Sequence, residues 1–163
     1  VDISEEAAVW ENEQNVSNLV RVTSTTNTPF LLYIENGAAG TADASLAIPV
    51  SSLGQKYTVL DYSRSRRIRF GFDRQFLVMA HLNNTVVMIE PSDGTPSFSI
   101  SLNRGEGYSR SITFSPVTQT GTVITSDNPI GLINGNECVD IPSRVGACDT
   151  IFEMAIPAEF WGT

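Results

Sequence analysis

The sequence predicts an all-β protein, an antiparallel β-sandwich with an internal repeat and one disulfide. Short apolar runs rich in β-branched and aromatic residues recur along the chain, and turn residues separate them. Charged residues make up only 17% of the 163 residues. This low fraction, with abundant Ser, Thr, Asn and Gly, is typical of extracellular β proteins. Helix signals are sparse.

Ten runs are predicted as strands, and strands of this length and spacing indicate a sandwich or a barrel. In chain order the runs are Leu19–Thr23, Phe30–Glu35, Tyr57–Tyr62, Ile68–Phe72, Gln75–Leu82, Thr85–Glu90, Ser97–Leu102, Tyr108–Phe114, Gly121–Thr125 and Ile130–Ile133. Asn83 and Asn84 separate two of these runs, and asparagine tolerates the positive φ of a tight turn. We therefore expect adjacent antiparallel strands between Tyr57 and Glu90, with a turn at Asn83-Asn84.

The strand Thr85–Glu90 is predicted to be buried on both faces. Its apolar residues run without interruption from Val86 to Ile89, and such continuous runs are typical of strands covered on both sides. A charge at Val87 is therefore expected to cost several kcal/mol, because it would be buried without a partner.

Helical structure is predicted only near the N-terminus. Residues Ser4–Gln14 suit one or two turns, with Ser4 as the cap and Glu5 and Glu6 favouring the helix start. The segment Ile151–Ala155 fits either a strand or a short helix.

An internal repeat divides the chain. Ala47-Ile48-Pro49 precedes Leu53-Gly54, and Ala155-Ile156-Pro157 precedes Trp161-Gly162 with the same spacing. Upstream, the order Thr23-Ser24, Pro29-Phe30, Asn36-Gly37 matches Thr125-Ser126, Pro129-Ile130, Asn134-Gly135. We therefore predict that residues 1–46 hold an N-terminal segment and the end of a preceding repeat, and that residues 47–163 form a β domain.

The charge balance argues against two classes of partner. The formal net charge is −8 and the isoelectric point about 4.5, whereas nucleic-acid binding needs a basic surface. Anionic membrane surfaces are disfavoured for the same reason. No apolar run reaches the roughly 18 residues of a transmembrane helix. The first residue is Val1, so the chain is expected to be processed or excised from a longer one.

Cys138 and Cys148 are the two cysteines, and an even count at close spacing favours one disulfide. The alternative is a pair of buried free thiols. A metal site at this pair needs more ligands than the neighbouring sequence offers.

Catalysis is not expected. His81 is the single histidine and lies in an apolar run, and the chain has no Gly-x-Ser-x-Gly elbow. Asp127, Asp140 and Asp149 are oxygen ligands that calcium accepts, but they lack EF-hand spacing. The sequence therefore predicts no enzyme, no cofactor and no metal.

Two charged segments are the candidate contact regions. Arg64, Arg66, Arg67 and Arg69 suit either a solvated edge strand or a patch that binds carboxylates or sulfated glycans. The N-terminal segment carries Asp2, Glu5, Glu6, Glu11 and Glu13, and it has no basic residue before Arg21. These opposite charges suit a contact between copies, in which the N-terminal segment of one chain covers an open sheet edge of the next and builds a filament. The alternative is an excised fragment whose ends are frayed.

Four further residues complete the candidates. Trp10 and Trp161 are predicted as buried packing anchors, with interface anchors as the alternative. Asn15 and Asn83 open two glycosylation sequons.

The region from Ala47 to Thr163 resembles the IgG Fc-binding protein N-terminal domain family. The matching positions are Gly121-Thr122, Ser126-Asp127-Asn128-Pro129, Asn134-Gly135 with Cys138, Cys148-Asp149, Glu153, Pro157, Trp161-Gly162-Thr163, Pro49 to Tyr57, and the hairpin from Gln75-Phe76 to Ile89. Asn136 stands where the family often has histidine. The resemblance implies a secreted or surface protein with an adhesive or matrix role, and it maps no binding residue onto this chain.

Two functions from different classes follow. The first is an extracellular structural or adhesive module that contacts other proteins or copies of itself. The second is a lectin-like module that recognises glycans or protein ligands at the cell surface. Self-association favours the first, and a monomer that binds glycans favours the second.

Overall fold

The structure is a computed structural model that describes residues 9, 12–38, 40–62, 73–112, 118–142 and 148–162. It confirms the predicted all-β, antiparallel architecture with one disulfide. The strands are β1 (Gln14–Val16), β2 (Tyr33–Ala38), β3 (Thr41–Leu46), β4 (Gly54–Thr58), β5 (Arg74–Ala80), β6 (Thr85–Glu90), β7 (Phe98–Leu102), β8 (Gly107–Ile112), β9 (Val123–Val139) and β10 (Asp149–Met154). Two single-turn 3-10 helices follow β3 and β10, namely η1 (Val50–Ser52) and η2 (Ala158–Phe160).

The long strand β9 organises the larger sheet, whose order is β1-β8-β5-β9-β6-β7. On one edge it pairs first with β6 and then with β5, and on the other edge first with β4 and then with β10. All four pairings are antiparallel. Each end of β9 therefore belongs to a different part of the sheet, which is how sandwich strands pass from one layer to the other.

The middle of β9 turns this corner at Ser126-Asp127-Asn128-Pro129. Pro129 has no N–H to donate to a neighbouring strand, so prolines in sheets favour such irregular positions. Side chains replace the missing backbone bonds. Asp127 Oδ1 accepts the Val86 N–H at 2.9 Å, and Gln55 Nε2 donates to the Asp127 carbonyl at 2.7 Å.

The core lies between the layers that β9 joins. Its largest side chains are all buried: Tyr57, Phe76, Ile89, Leu102, Ile124, Ile130 and Leu132. The Tyr57 hydroxyl accepts the Gly54 N–H at 3.0 Å and donates to the Ile130 carbonyl at 2.6 Å. Burial raises the pKa of Tyr57, so this phenol stays a neutral donor that fixes β4 against β9.

The internal repeat has a structural counterpart. The Ala47 N–H donates to Leu32 and the Ala155 N–H donates to Leu132, both at 2.8 Å. The turns after Pro49 and Pro157 are both 3-10 helices. The hairpin β2–β3 with η1 therefore matches the end of β9, β10 and η2.

The register corrects one detail of the predicted repeat. Leu46 pairs with Tyr33, and its counterpart Met154 pairs with Ile133. In this register Asn36-Gly37 and Asn134-Gly135 stand two positions apart rather than at matching sites. Their agreement in the sequence is therefore fortuitous, whereas the Pro29 and Pro129 positions do correspond.

The two copies of the repeat meet where β3 lies against β10. The backbone N–H groups of Thr150, Phe152 and Met154 donate to the side chains of Thr41, Asp43 and Ser45, at 2.6, 2.8 and 2.9 Å. Thr41 also donates to Asp149, its counterpart 108 positions later. Since this bond and the Thr150 and Ala42 N–H groups stabilise the carboxylate, the pKa of Asp149 is lowered. Side chains of β3 thus satisfy the edge of β10 that faces away from β9.

Several predicted elements are wrong in position or pairing. No strand forms at Leu19–Thr23, because residues 17–32 have no ladder partner. β4, β5 and β6 do not pair with one another as expected between Tyr57 and Glu90, since each pairs with β9 instead. The turn at Asn83-Asn84 is confirmed, with Asn84 at φ 55°.

Burial and helix content differ as well. The strand β6 alternates between buried and exposed positions, so the expectation of two buried faces is wrong: Val86 and Met88 are 47% and 39% exposed. The predicted runs Gly121–Thr125 and Ile130–Ile133 both overlap the single strand β9, which begins at Val123. Gln14, placed at the end of a helix, begins β1, while most of Ser4–Gln14 and all of Ile68–Phe72 lie outside the described residues.

Candidate apolar groove beside β10

A groove of about 580 Å³ opens beside β10. Its walls come from the chain after β4, the end of β9, the strand β10 and the turn that follows it. The lining residues are Thr58, Leu60, Asp61, Tyr62, Asn134, Gly135, Asn136, Ile141, Ile151, Phe152, Glu153, Met154, Ala155, Ile156 and Trp161. We call this feature the β10 groove.

The wall after β4 is held by side-chain hydrogen bonds. The Asn136 amide accepts the Tyr62 N–H at 3.3 Å and donates to the Tyr62 carbonyl at 3.2 Å, as a neighbouring strand would. The Asp61 carboxylate accepts the Gln119 N–H at 2.7 Å and the hydroxyl of Thr118. These bonds fix residues 61 and 62 where the backbone has no ladder, and Leu60 is held beside them.

The opposite wall is fixed by η2. Glu159 accepts the Gln55 N–H at 2.7 Å, and Gly54 lies so close to Pro157 that a Cβ on the glycine would come within 2.3 Å of the proline Cβ. The indole N–H of Trp161 donates to the Ile156 carbonyl at 3.1 Å. This bond positions the indole ring of Trp161 and occupies its N–H.

Four large apolar side chains of the groove are more than half exposed. Leu60, Ile141, Ile156 and Trp161 are 58%, 56%, 59% and 51% exposed. Single exposed apolar residues are ordinary, but a contiguous set around a concave site is typical of an interaction surface. The expectation of a buried packing role for Trp161 is therefore wrong, and its alternative role as an interface anchor fits its exposure.

The polar groups of the groove are mostly acceptors. Asp61 and Glu153 contribute carboxylates, and none of the lining residues that the structure describes is a lysine, arginine or histidine. Asn134 is 8% exposed, and its Oδ1 has no hydrogen-bond partner. A buried amide oxygen without a donor is costly.

A second polar cluster surrounds Arg110 on β8. The guanidinium donates to Asp93 at 2.8 Å and to Glu13 at 3.2 Å. Partial burial disfavours the charged form of Asp93, but the hydrogen bonds from Thr95 and Arg110 outweigh it and lower the pKa of this carboxyl. Arg110 is only 4% exposed, so this cluster fixes β1 and the β6–β7 turn to β8 and presents little surface to a ligand.

The structure confirms the predicted disulfide. Cys138 at the end of β9 is bonded to Cys148 just before β10, with the two Cα atoms 5.2 Å apart. The bond closes the long connection of the β9–β10 hairpin. The matching β2–β3 hairpin turns within two residues, since Ala38 pairs with Thr41.

Most of the predicted contact residues cannot be placed. Arg64, Arg66, Arg67 and Arg69 lie outside the described residues, as do Asp2, Glu5, Glu6, Trp10 and Glu11. Glu13 is described, and it pairs with Arg110 rather than with the arginine stretch. Residues 14–16 pair with β8 of the same chain, so this part of the N-terminal segment is not available to a neighbouring copy.

The two sequons differ in their surroundings. The amide nitrogen of Asn15 donates to the Ser101 carbonyl at 3.3 Å, which joins β1 to β7. Asn83 is exposed in the turn before β6, and its Oδ1 accepts the Arg104 N–H at 3.1 Å. The nitrogen that would carry a glycan is thus engaged at Asn15. Glycosylation at both sites stays a prediction.

The three aspartates considered for calcium serve the fold at separate places. Asp127 binds the backbone of β6, Asp149 binds Thr41 and Thr150, and Asp140 is buried. Within the described ranges, no group of three or more His, Cys, Asp or Glu residues is arranged to hold a metal. The same ranges contain no helix long and apolar enough to cross a bilayer.

Periodicity missed the groove because its exposed residues stand outside regular strands. Leu60, Ile141 and Ile156 flank turns, where an apolar residue has no pattern to assign it to a face. The one sequence feature that involved an exposed groove residue was the repeated Ala-Ile-Pro motif, since Ile156 belongs to its second copy.

The comparisons with known proteins extend over most of the chain. A family model described as IgGFc binding protein matches residues 43–163. The match begins four residues before the predicted boundary at Ala47 and includes β10, η2 and the whole β10 groove. No curated protein and no solved structure matches the chain.

Proposed function

This chain belongs to the IgG Fc-binding protein family, and from that premise we propose that it is an extracellular structural or adhesive module that binds a partner protein in the β10 groove. The family suggests protein binding outside the cell, and the disulfide between Cys138 and Cys148 fits an oxidising compartment.

One observation carries the choice of site. The groove exposes Leu60, Ile141, Ile156 and Trp161 together at a concave surface. A partner side chain that fills it would remove all four from water, at roughly 25 cal/mol per Å² of apolar surface. Tryptophan at the centre of such a patch is a frequent source of binding energy.

We further propose that the module is not catalytic. Both cysteines are in the disulfide, so neither supplies a thiolate nucleophile. His81 lies in the turn after β5, and it is not among the residues that line the groove.

Self-assembly is the finer part of the proposal. It rests on the charge contrast between the acidic N-terminal segment and the Arg64–Arg69 stretch. Glycan recognition depends on the same arginines and has no further support in the described residues. Gel filtration with multi-angle light scattering over a concentration series tests self-association, and added salt should weaken an exposed charge contact.

Site-specific photo-cross-linking tests the groove. A benzophenone amino acid replaces Ile156 in the groove or, as the matched control, Val86 on β6, which is also apolar and 47% exposed. Each protein is mixed with extracellular secretions or matrix extract and irradiated. We expect a saturable protein adduct from position 156 that excess unlabelled chain removes, and none from position 86. Equal adducts at both positions, or none at position 156, contradict the proposal.

A further inference from the structure

The hairpin β2–β3 forms a sheet of only two strands. A two-stranded sheet is at best marginally stable in water, and further strands are needed to stabilise it. One edge of this hairpin lies against β10, through the side chains of β3. The other edge belongs to β2, and no strand of the described ranges other than β3 pairs with β2.

The register shows which backbone groups form this free edge. The Ala47 N–H donates to the Leu32 carbonyl at 2.8 Å, and hydrogen-bonded pairs alternate along an antiparallel ladder. The N–H groups of Tyr33, Glu35 and Gly37 therefore point away from β3. All three residues are exposed. Because Gly37 has no side chain, its exposure shows directly that the backbone is open to solvent here. We call these outward groups the β2 edge.

The second copy of the repeat shows what such an edge binds. By the register of the repeat, Tyr33 corresponds to Ile133 of β9. The edge of β9 that corresponds to the β2 edge carries β5, which is antiparallel and pairs Leu77 with Ile133 and Gln75 with Gly135. The repeat therefore indicates that the β2 edge also accepts an antiparallel strand.

Apolar side chains lie beside the β2 edge, on the outer face of the hairpin. Leu31, Tyr33 and Leu46 are exposed, and Tyr33 pairs directly with Leu46. Met154, the counterpart of Leu46 in the second copy, is buried. An open strand edge with exposed apolar side chains next to it is a ready site for pairing with another strand.

We propose that the β2 edge pairs with the β2 edge of a second copy of this chain, antiparallel and across a two-fold axis, with Tyr33 of one copy opposite Tyr33 of the other. The two hairpins then form one sheet of four strands. On its outer face, Leu46 and Tyr33 of both copies make a continuous apolar row, and such cross-strand pairs stabilise sheets. This contact goes beyond the proposed function, because it uses neither the β10 groove nor the charged segments.

The charge of Glu35 selects the register. If Glu35 stood opposite its own counterpart, two carboxylates would face each other, which is destabilising. With Tyr33 at the axis, the two Glu35 residues are separated by four residues, roughly 13 Å at about 3.3 Å per residue. This distance exceeds the Debye length of about 8 Å at physiological ionic strength. In this register β2 complements itself without a like-charge contact, which favours a second copy as the partner.

Two cysteine variants test the register. The Cα atoms of a hydrogen-bonded antiparallel pair are about 5.5 Å apart, a distance that a disulfide spans. Tyr33→Cys should therefore give a disulfide-linked dimer under mild oxidation. Glu35→Cys is the matched control, since it is an exposed position on the same edge whose counterpart lies too far away to bond. Non-reducing electrophoresis measures both yields, and Glu35→Cys should give little dimer.

A proline variant tests the backbone contact. Glu35→Pro removes the outward N–H of residue 35, and a proline is tolerated on an edge strand whose N–H faces solvent. By symmetry the dimer loses two hydrogen bonds, so its dissociation constant in sedimentation equilibrium should rise about ten-fold or more. Glu35→Ala removes the charge but keeps the N–H, and it should change this constant by less than about three-fold. Circular dichroism checks that both variants are folded.

Each result decides the inference. The mass of the unmodified chain should rise with concentration and stop at two chains, because an isologous contact closes on itself. A monomer at every concentration, equal cross-linking at positions 33 and 35, or equal dissociation constants for Glu35→Pro and Glu35→Ala would overturn it. Association that salt abolishes and Glu35→Pro leaves unchanged would also overturn it and assign the contact to the charged segments. The cross-linking at position 156 decides the proposed function of the groove separately.

Discussion

Gly54→Ala and Gly162→Ala are the same chemical change at matching positions of the internal repeat, yet they should have different effects. A Cβ on Gly54 would lie 2.3 Å from the Pro157 Cβ, whereas a Cβ on Gly162 would have no atom of the described residues within 4 Å. Pro157 directly precedes η2, and its ring cannot rotate away. The first substitution must therefore move β4 and η2 apart.

The expected magnitude combines opposing effects. Overpacking against a rigid wall costs about 1–3 kcal/mol. Displacement of η2 also weakens the bond from Glu159 to the Gln55 N–H, typically about 1 kcal/mol. Alanine also lowers the conformational entropy of the unfolded chain, which offsets this loss of stability by about 0.4–1 kcal/mol. Gly54→Ala should thus lower the free energy of unfolding by about 1–3 kcal/mol, and Gly162→Ala should leave it unchanged within about 0.5 kcal/mol.

Urea unfolding followed by circular dichroism measures both values, and the emission of Trp161 in a Trp10→Phe background reports the position of η2. We expect Gly54→Ala to shift this emission in the folded protein, because Trp161 directly follows η2. Equal midpoints and equal emission for the two variants would refute the contact between β4 and η2, and with it the geometry of the groove wall.

Three further predictions concern stability. Val87→Asp should destabilise the protein by several kcal/mol in urea unfolding, because Val87 is fully buried and a carboxyl there has no partner. Val86→Asp, on the exposed face, should change the free energy of unfolding by no more than about 0.5 kcal/mol. Similar values for the two variants would contradict the alternation of β6. Reduction of the Cys138–Cys148 bond should add two hydrogens by mass and cost a little under 3 kcal/mol, roughly, for a loop of this length. Free thiols in the native protein would contradict the bond. The pKa of Asp93 is lower in the folded protein than in the unfolded chain, so its carboxylate stabilises the fold above the ordinary carboxyl pKa, and this stabilisation is lost as the pH falls below about 4. Asp93→Asn should therefore reduce the loss of stability at acid pH in a pH series of unfolding curves. An unchanged dependence on acid pH would show that the carboxyl does not contribute.

Local patterns predicted strands best where one short run forms one complete strand. Thr85–Glu90 was predicted with its final bounds, and β7 and β8 differ only at their ends. β3 was missed because its sequence, Thr-Ala-Asp-Ala-Ser-Leu, offers polar rather than β-branched alternation. Its polar side chains bind the backbone N–H groups of β10, and strand propensities do not include such contacts.

The groove depended on still longer connections. Thr58 and Trp161 are more than a hundred positions apart in the chain, and they line the same groove because η2 packs on Gly54. Continuous apolar sequence also misled the prediction at Val86 and Met88, since apolar character alone does not tell which face of a strand another layer will cover.

The sequence by itself determined the all-β class, the disulfide pair, the family and the repeated Ala-Ile-Pro turns, because local composition or residue spacing specifies each of them. The tertiary structure decided the rest. It joined two predicted runs into β9, gave that strand two neighbours on each edge, and placed the hairpin β2–β3 against β10. Pairing of this kind depends on which backbone edges remain unsatisfied after all strands have formed, and that depends on the whole chain at once.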